Sequence, residues 1–258
     1  NLKLISRVGI GLDSVDLLKA EKLDIAVSYT PDAPAPAVAE LTVGMMLTLL
    51  RSVHVSNSQM HLGKWHRFFG KRLSEVTIGI IGIGRIGKGV LEHLKGFGNP
   101  KILVNDISIK DDINNKFNVK WSSKEEIYKK SDIVSLHLPL TGETKNMIKK
   151  NHLLSMKTDA IIINTSRGGI INESDLYEVM KSGHLSGAAI DVFNEEPYNG
   201  PLKEIERCLL TAHMGSMSID CRARMEIEAT EEAVRFLTGK KLEGRVSEGE
   251  YEVQRRGL

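Results

Sequence analysis

An arginine, an acid and a histidine follow three successive apolar runs of this chain, and together they suit hydride transfer to a carbonyl. The run at 160–164 leads into Asn164-Thr165-Ser166-Arg167-Gly168-Gly169. The run at 187–190 leads into Asp191-Val192-Phe193-Asn194-Glu195-Glu196-Pro197, and the run at 208–211 into Ala212-His213-Met214-Gly215. Reducing a ketone needs a proton donor beside the oxygen, and histidine is the natural donor near neutral pH. A carboxylate from Glu195 or Glu196 would orient the imidazole, and Arg167 would clamp a substrate anion. Each residue alone has a plainer reading: an exposed histidine, an arginine capping a turn, solvated glutamates. Their shared position at successive strand ends argues for chemistry.

The partner for such chemistry is written earlier in the chain. Ile78, Ile80 and Ile81 form an apolar run, followed by Gly82-Ile83-Gly84-Arg85-Ile86-Gly87 and an amphipathic stretch to about Lys95. A second run, Ile102-Leu103-Val104, ends on Asp106, about 20 residues past the last glycine of the fingerprint. Gly82 permits the tight turn, Gly84 lets the backbone approach a pyrophosphate, and Gly87 lets helix pack on strand. The helix N-terminus offers free N–H groups to phosphate, and Asp106 can accept both ribose hydroxyls. A carboxylate repels the 2′-phosphate of NADP, so NAD is the expected cofactor. No arginine follows Asp106 immediately, and Lys110 is the nearest cation.

These residues need a scaffold of alternating strands and helices, and the apolar pattern supplies one. Strands are expected near 2–5, 25–27, 78–82, 102–105, 132–136, 160–164, 187–190 and 208–211. Helical patterns fall near 14–21, 85–95, 123–130, 143–156, 172–182 and 217–238. Several strands lack clean alternation, as in a parallel sheet covered on both faces. The fold class is therefore α/β, a doubly wound parallel sheet, whose ligands bind outside the C-terminal strand ends. Val38, Leu41, Met45, Leu49 and Val53 give residues 37–62 one long helical periodicity. That helix suits the core, a link between two domains, or pairing with another subunit, and a homodimer through the 37–62 region is expected. The polar tail from Gly239 to Leu258, with Arg255-Arg256, reads as solvated and loosely held.

Composition narrows the partners. With 41% apolar and 26% charged residues and a net charge of +2, the chain is an ordinary globular one with no signature of nucleic-acid binding. Cys208 and Cys221 are its 2 cysteines; they form no metal spacing or disulfide framework, which suits a reducing, cytoplasmic setting. The longest apolar segment, Ala35 to Leu50, is interrupted by Glu40 and too short for a bilayer. Residue 1 is Asn rather than Met and no signal peptide is visible, so the sequence reads as an N-terminally shortened protein.

Taken together, the motifs resemble the D-isomer-specific 2-hydroxyacid dehydrogenase family, phosphoglycerate dehydrogenase-like. The resemblance rests on the Gly82–Gly87 fingerprint, His137-Leu138-Pro139-Leu140-Thr141 with Thr144, Asn164 to Gly169, Asp191 to Pro197, and His213 with Gly215. It extends to Arg7-Val8-Gly9-Ile10-Gly11-Leu12-Asp13 and Val38-Ala39-Glu40, and so runs from residue 1 to about 238. It implies Arg167 as substrate arginine, Glu196 as partner of the histidine, and His213 as general acid/base. It implies Arg85 and Ile86 at the pyrophosphate, Asp106 at the ribose, Pro139 at the adenine, and Thr165 and Asp191 near the nicotinamide. The N–H groups of Gly9, Ile10 and Gly11 would receive the substrate carboxylate. It implies a partial flavodoxin-like substrate domain over 1–51, a Rossmann NAD domain over 52–234, and a return segment over 235–258. About 50 to 60 residues of the family's substrate domain would precede residue 1. A rival reading on the same fold is an NAD(H)-sensing interaction protein of co-repressor type, though no peptide-binding insertion is visible.

Overall fold

The computed structural model describes residues 1–255. In chain order the strands are β1 (Leu4–Arg7), β2 (Ala26–Tyr29), β3 (Thr77–Ile81), β4 (Lys101–Asn105), β5 (Val119–Trp121), β6 (Ile133–Leu136), β7 (Ile161–Asn164), β8 (Gly187–Ile190) and β9 (Cys208–Leu210). The helices are α1 (Leu17–Lys22), α2 (Ala35–Leu50), α3 (Val53–His61), α4 (Arg85–Leu94), α5 (Asp111–Lys116), α6 (Lys124–Lys130), α7 (Lys150–Ser155), α8 (Glu173–Ser182), α9 (Ile219–Leu237) and α10 (Glu248–Arg255).

Seven strands form one parallel sheet in the order β5-β4-β3-β6-β7-β8-β9, and β1 pairs with β2 in a second, two-stranded parallel sheet. The chain runs outward from β3 to the β5 edge, then returns across the sheet to β6. The connections after β3 and β6 therefore leave on opposite faces, and a crevice opens between their C-terminal ends. Every residue of β6, β7 and β8 is buried. Apolar layers cover both faces: Ile78 and Ile80 pack with Met46, Val90 and Leu91, while Ile81, Val134 and Ile162 pack with Leu153, Leu176 and Val179. This accounts for strands without alternation.

Three expectations are corrected. The 37–62 helix is two helices, α2 and α3, bent by 64°. Ser52 at the break is left-handed, with φ 50°. The returning chain caps α2 there: Lys71 N–H donates to Leu50 O at 3.3 Å, and Gly70 lies so close that a Cβ would sit 2.2 Å from that carbonyl. α2 belongs to the core against α4, whereas Trp65 and Phe69 beyond α3 stand almost fully exposed. Second, the tail is tied down rather than loose. Val246 N–H donates to Val27 O at 3.0 Å and Tyr29 N–H to Gly244 O at 2.9 Å, extending the small sheet's contacts. Gln254 on α10 accepts from Leu17 N–H at 2.9 Å and donates to Val15 O at 2.7 Å, and Arg255 pairs with Glu21 and Glu248. Arg256 lies outside the described residues. Third, β5 and α5 were not expected; β5 is a three-residue edge strand carrying exposed Lys120, too short for an apolar pattern.

No single helix among the described residues is long and apolar enough to cross a membrane. Both cysteines are buried and unpaired, and no cluster of three metal-ligating side chains occurs among the described residues.

His137, just past β6, gives the fold a pH dependence. Its Nε2 shares a 2.9 Å hydrogen bond with Ser135 Oγ, while Nδ1 is buried without a partner. Burial pulls its pKa from 6.5 down to about 4. Between those values the unfolded chain holds the proton and the folded chain does not, so stability falls as pH drops through that window. The loss amounts to about 3 kcal/mol. Urea unfolding at pH 4.5 and 7 is expected to show most of this difference in the parent, about 2 kcal/mol, and a much smaller one in His137→Gln. Equal pH slopes in both would remove His137 as the cause.

Candidate active site

The β3–α4 turn is shaped for a phosphate. Gly82 takes φ +96°, and a Cβ on it would lie 2.2 Å from His137 O. A Cβ on Gly87 would lie 2.1 Å from Gly82 O, so only glycine lets α4 approach this closely. Gly84 caps α4 without a side-chain hydrogen bond and has open space where a Cβ would be. The first N–H groups of α4 therefore face a clear volume at the positive end of the helix dipole. Ile86 is half-buried on the core, and exposed Arg85 donates from Nε to Asp32 Oδ1 at 2.5 Å.

Asp106 directly follows β4, with its side chain 11% exposed. It accepts from Ile83 N–H at 2.7 Å, Ile107 N–H at 2.7 Å and Lys110 Nζ at 2.9 Å. Burial alone would raise its pKa; the Lys110 and Ile83 hydrogen bonds outweigh that and hold the carboxyl below its usual range. Pro139 is exposed after β6, its carbonyl accepting from Thr144 Oγ1 at 2.6 Å. Thr165, after β7, is buried with its hydroxyl 2.8 Å from Thr42 Oγ1. A glycine-lined turn, an open helix end and an acid on the next strand fit a dinucleotide.

The neighbouring strand ends β7, β8 and β9 carry the reactive side chains. Gly168 presses the loops together: a Cβ on it would lie 1.9 Å from Phe193 O. Arg167 donates from Nε to Asp13 Oδ2 at 2.7 Å and from Nη1 to Ser166 O at 2.7 Å. Its guanidinium lies on Gly11, where a Cβ would meet Nη2 at 2.1 Å. The arginine thus reaches from the large sheet to the loop after β1. Ile10 and Gly11 donate their N–H to no acceptor among the described residues, but Gly9 does not share in that opening. Its N–H is already given to Thr30 Oγ1 at 2.8 Å, which corrects the expectation that it offers this donor to a ligand.

His213 Nδ1 lies 2.9 Å from Glu196 Oε2, and Glu196 Oε1 accepts from Phe193 N–H at 3.1 Å. The acid beside the imidazole is Glu196, not Glu195. His213 is left-handed, with φ 51°, a conformation that must be held in place. Asp191 holds it. Its carbonyl accepts His213 N–H at 2.9 Å, and its buried carboxylate accepts from Thr211 Oγ1 at 2.5 Å, Met214 N–H at 2.7 Å and Gly215 N–H at 2.9 Å. Asp191 therefore sits beneath the histidine turn with three donors on its carboxylate. Asp13, Asp32 and Thr42 were missed as neighbours of the site; Asp13 alone had a signal, since it lies within the Arg7–Asp13 stretch.

Fold and geometry define a nicotinamide-dependent oxidoreductase: an open-sheet dinucleotide crevice beside an arginine and a carboxylate–histidine pair. Residues 43–215 match the family model described as D-isomer specific 2-hydroxyacid dehydrogenase, NAD binding domain. The chain is 38% identical over 246 residues to a hydroxypyruvate reductase of Thermotoga maritima, covering 92% of this chain and 78% of that protein. It superposes on the TT0316 protein of Thermus thermophilus with a TM-score of 0.88 at 33% identity, over 95% of this chain and 79% of that one. It superposes on a D-lactate dehydrogenase of Aquifex aeolicus, complexed with NAD and lactic acid, with a TM-score of 0.85 at 28% identity over 92% and 77%. The chain belongs to the D-isomer specific 2-hydroxyacid dehydrogenase family, and its cofactor is NAD.

Proposed function

We propose that this chain interconverts a small 2-oxo acid and its D-2-hydroxy acid, with the His213–Glu196 pair as proton relay and Arg167 as substrate clamp. The observation that carries it is the 2.9 Å His213–Glu196 hydrogen bond on the strand end next to the Arg167 loop. Bound NAD(H) supplies the hydride donor or acceptor. Gly82, Gly84, Gly87, Arg85 and Ile86 would hold its pyrophosphate, Asp106 its adenosine ribose, Pro139 would border the adenine, and Thr165 would close the nicotinamide end. Asp191 supports that end from below by fixing the histidine turn. Ile10 and Gly11 present N–H groups and Arg167 its guanidinium to the substrate carboxylate. His213 Nε2 gives its proton to the ketone oxygen in reduction and takes it from the hydroxyl in oxidation.

Similarity to the hydroxypyruvate reductase of Thermotoga maritima favours a short polar 2-oxo acid. Oxidation of NADH with a panel of glyoxylate, hydroxypyruvate, pyruvate and 3-phosphohydroxypyruvate tests the reading. Turnover of none of them, with NADH still bound, would favour an NAD(H)-sensing role instead. The small β1–β2 sheet forms part of a substrate domain; α2, expected with it in 1–51, packs instead on α4 and so goes with the NAD domain, which runs on to 234, and 235–255 is the segment that returns to the small sheet. Trp65 and Phe69, 80% and 104% exposed beside exposed Leu62 and Met60, support a homodimer formed through α3 and the chain after it. Sedimentation is expected to give a dimer that Trp65→Ala with Phe69→Ala dissociates; a monomeric parent at micromolar concentration refutes it. A cytoplasmic setting, without nucleic-acid or membrane partners, fits the unpaired cysteines and small net charge; co-fractionation with membranes would count against it.

A further inference from the structure

The ribose end of the cofactor site holds a cation as well as an acid. Lys110 Nζ donates to Asp106 Oδ2 at 2.9 Å and to Ile83 O at 2.8 Å, with its side chain 29% exposed. An ammonium has three donors, so one remains for a ligand. The carboxylate is the more committed partner. Oδ2 already takes Ile83 N–H and Lys110, and Oδ1 takes Ile107 N–H. A ribose arriving here therefore meets Lys110 as well as Asp106, and meets a pair whose charges cancel rather than a bare carboxylate. Between the two residues Ile107 and Ile109 turn outward, 99% and 68% exposed, while the pair itself keeps part of its surface, 29% for Lys110 and 11% for Asp106.

We propose that Lys110 sets the cofactor choice of this chain: paired with Asp106, it lets the ribose subsite take a 2′-phosphate, so that NADPH binds as well as NADH. This rests on the assignment of Asp106 to the ribose. A lone carboxylate excludes the 2′-phosphate by repulsion; a neutral pair with a spare N–H removes the repulsion and adds a charge-assisted hydrogen bond. Lys110 keeps its bonds to Asp106 Oδ2 and Ile83 O and offers its third N–H to the phosphate.

Equilibrium titration of NADH and NADPH, read by cofactor fluorescence or calorimetry, tests it in the parent, Lys110→Met and Asp106→Ala. The parent is expected to bind NADPH within about tenfold of NADH. Lys110→Met keeps the apolar stem and loses the charge; it should weaken NADPH roughly 10–100-fold and leave NADH within a few-fold. Asp106→Ala should weaken NADH and favour NADPH, since the freed ammonium faces the phosphate alone. A parent that does not bind NADPH, or a Lys110→Met variant whose two affinities move together, overturns the proposal while leaving the ribose assignment standing. Unchanged NADH affinity in Asp106→Ala overturns the ribose assignment, and the proposal with it.

Discussion

His213→Ala is expected to lower kcat for 2-oxo acid reduction by ~10²–10⁴-fold, the usual scale for losing a general acid, with the NADH affinity unchanged. The site geometry gives both halves of that expectation. Nδ1 is tied to Glu196, so the ring presents Nε2, which has no partner among the described residues, on a side chain 49% exposed. No other histidine lies on the loops that follow β7, β8 or β9, so nothing nearby can take over the proton. The dinucleotide turn after β3 and the Asp106 strand end lie on the other half of the sheet, so cofactor affinity should not follow kcat down. Glu196→Gln should give a smaller loss, because an amide oxygen can still accept from Nδ1 and orient the ring while the charge is gone. Single-turnover reduction with saturating NADH measures the step. A His213→Ala variant with near-parental turnover would take the histidine out of the mechanism.

The features legible in the sequence were those whose chemistry is local. The Gly82–Gly87 turn and its acid can be read because each glycine answers a steric demand within a few residues. Arg167 and His213 can be read because buried parallel strands are apolar runs, and ligands bind where such runs end. Glu195 and Glu196 could not be separated by composition; only the path of the loop after β8 turns one toward the imidazole. The partners of the two site arginines were also hidden. Asp13 and Asp32 come from the loops after β1 and β2, and their closeness to Arg167 and Arg85 exists only in three dimensions. The tail misled for a related reason. Its anchors are mainly backbone hydrogen bonds to β2, joined by one glutamine, the Arg255–Glu21 pair and buried Val246, and backbone groups pair regardless of side-chain pattern. The α2–α3 break lacks glycine and proline, because the carbonyl it frees is taken by Lys71 far along the chain.

Arg167→Ala is expected to lower kcat/KM by about 10²–10³-fold, the equivalent of truncating one member of a hydrogen-bonded charge pair. The loss has two sources. The guanidinium that would grip the substrate carboxylate is gone, and Asp13 is left without the Nε partner that it holds at 2.7 Å. A free carboxylate beside Ile10 and Gly11 then repels the anion those N–H groups are placed to receive. The two sources can be separated. Asp13→Asn in the Arg167→Ala background should recover several-fold of the loss, because it removes the repulsion without restoring the clamp. Asp13→Asn alone should cost less than Arg167→Ala, since the guanidinium keeps its bond to Ser166 O and its seat on Gly11. Arg167→Lys should recover little, because an ammonium cannot keep Asp13 on one edge and offer two parallel donors on the other. Steady-state kinetics of the four variants decides the matter. A kcat/KM for Arg167→Ala within a few-fold of the parent would mean that the substrate carboxylate is bound elsewhere, and that the arginine serves only to bridge the two sheets.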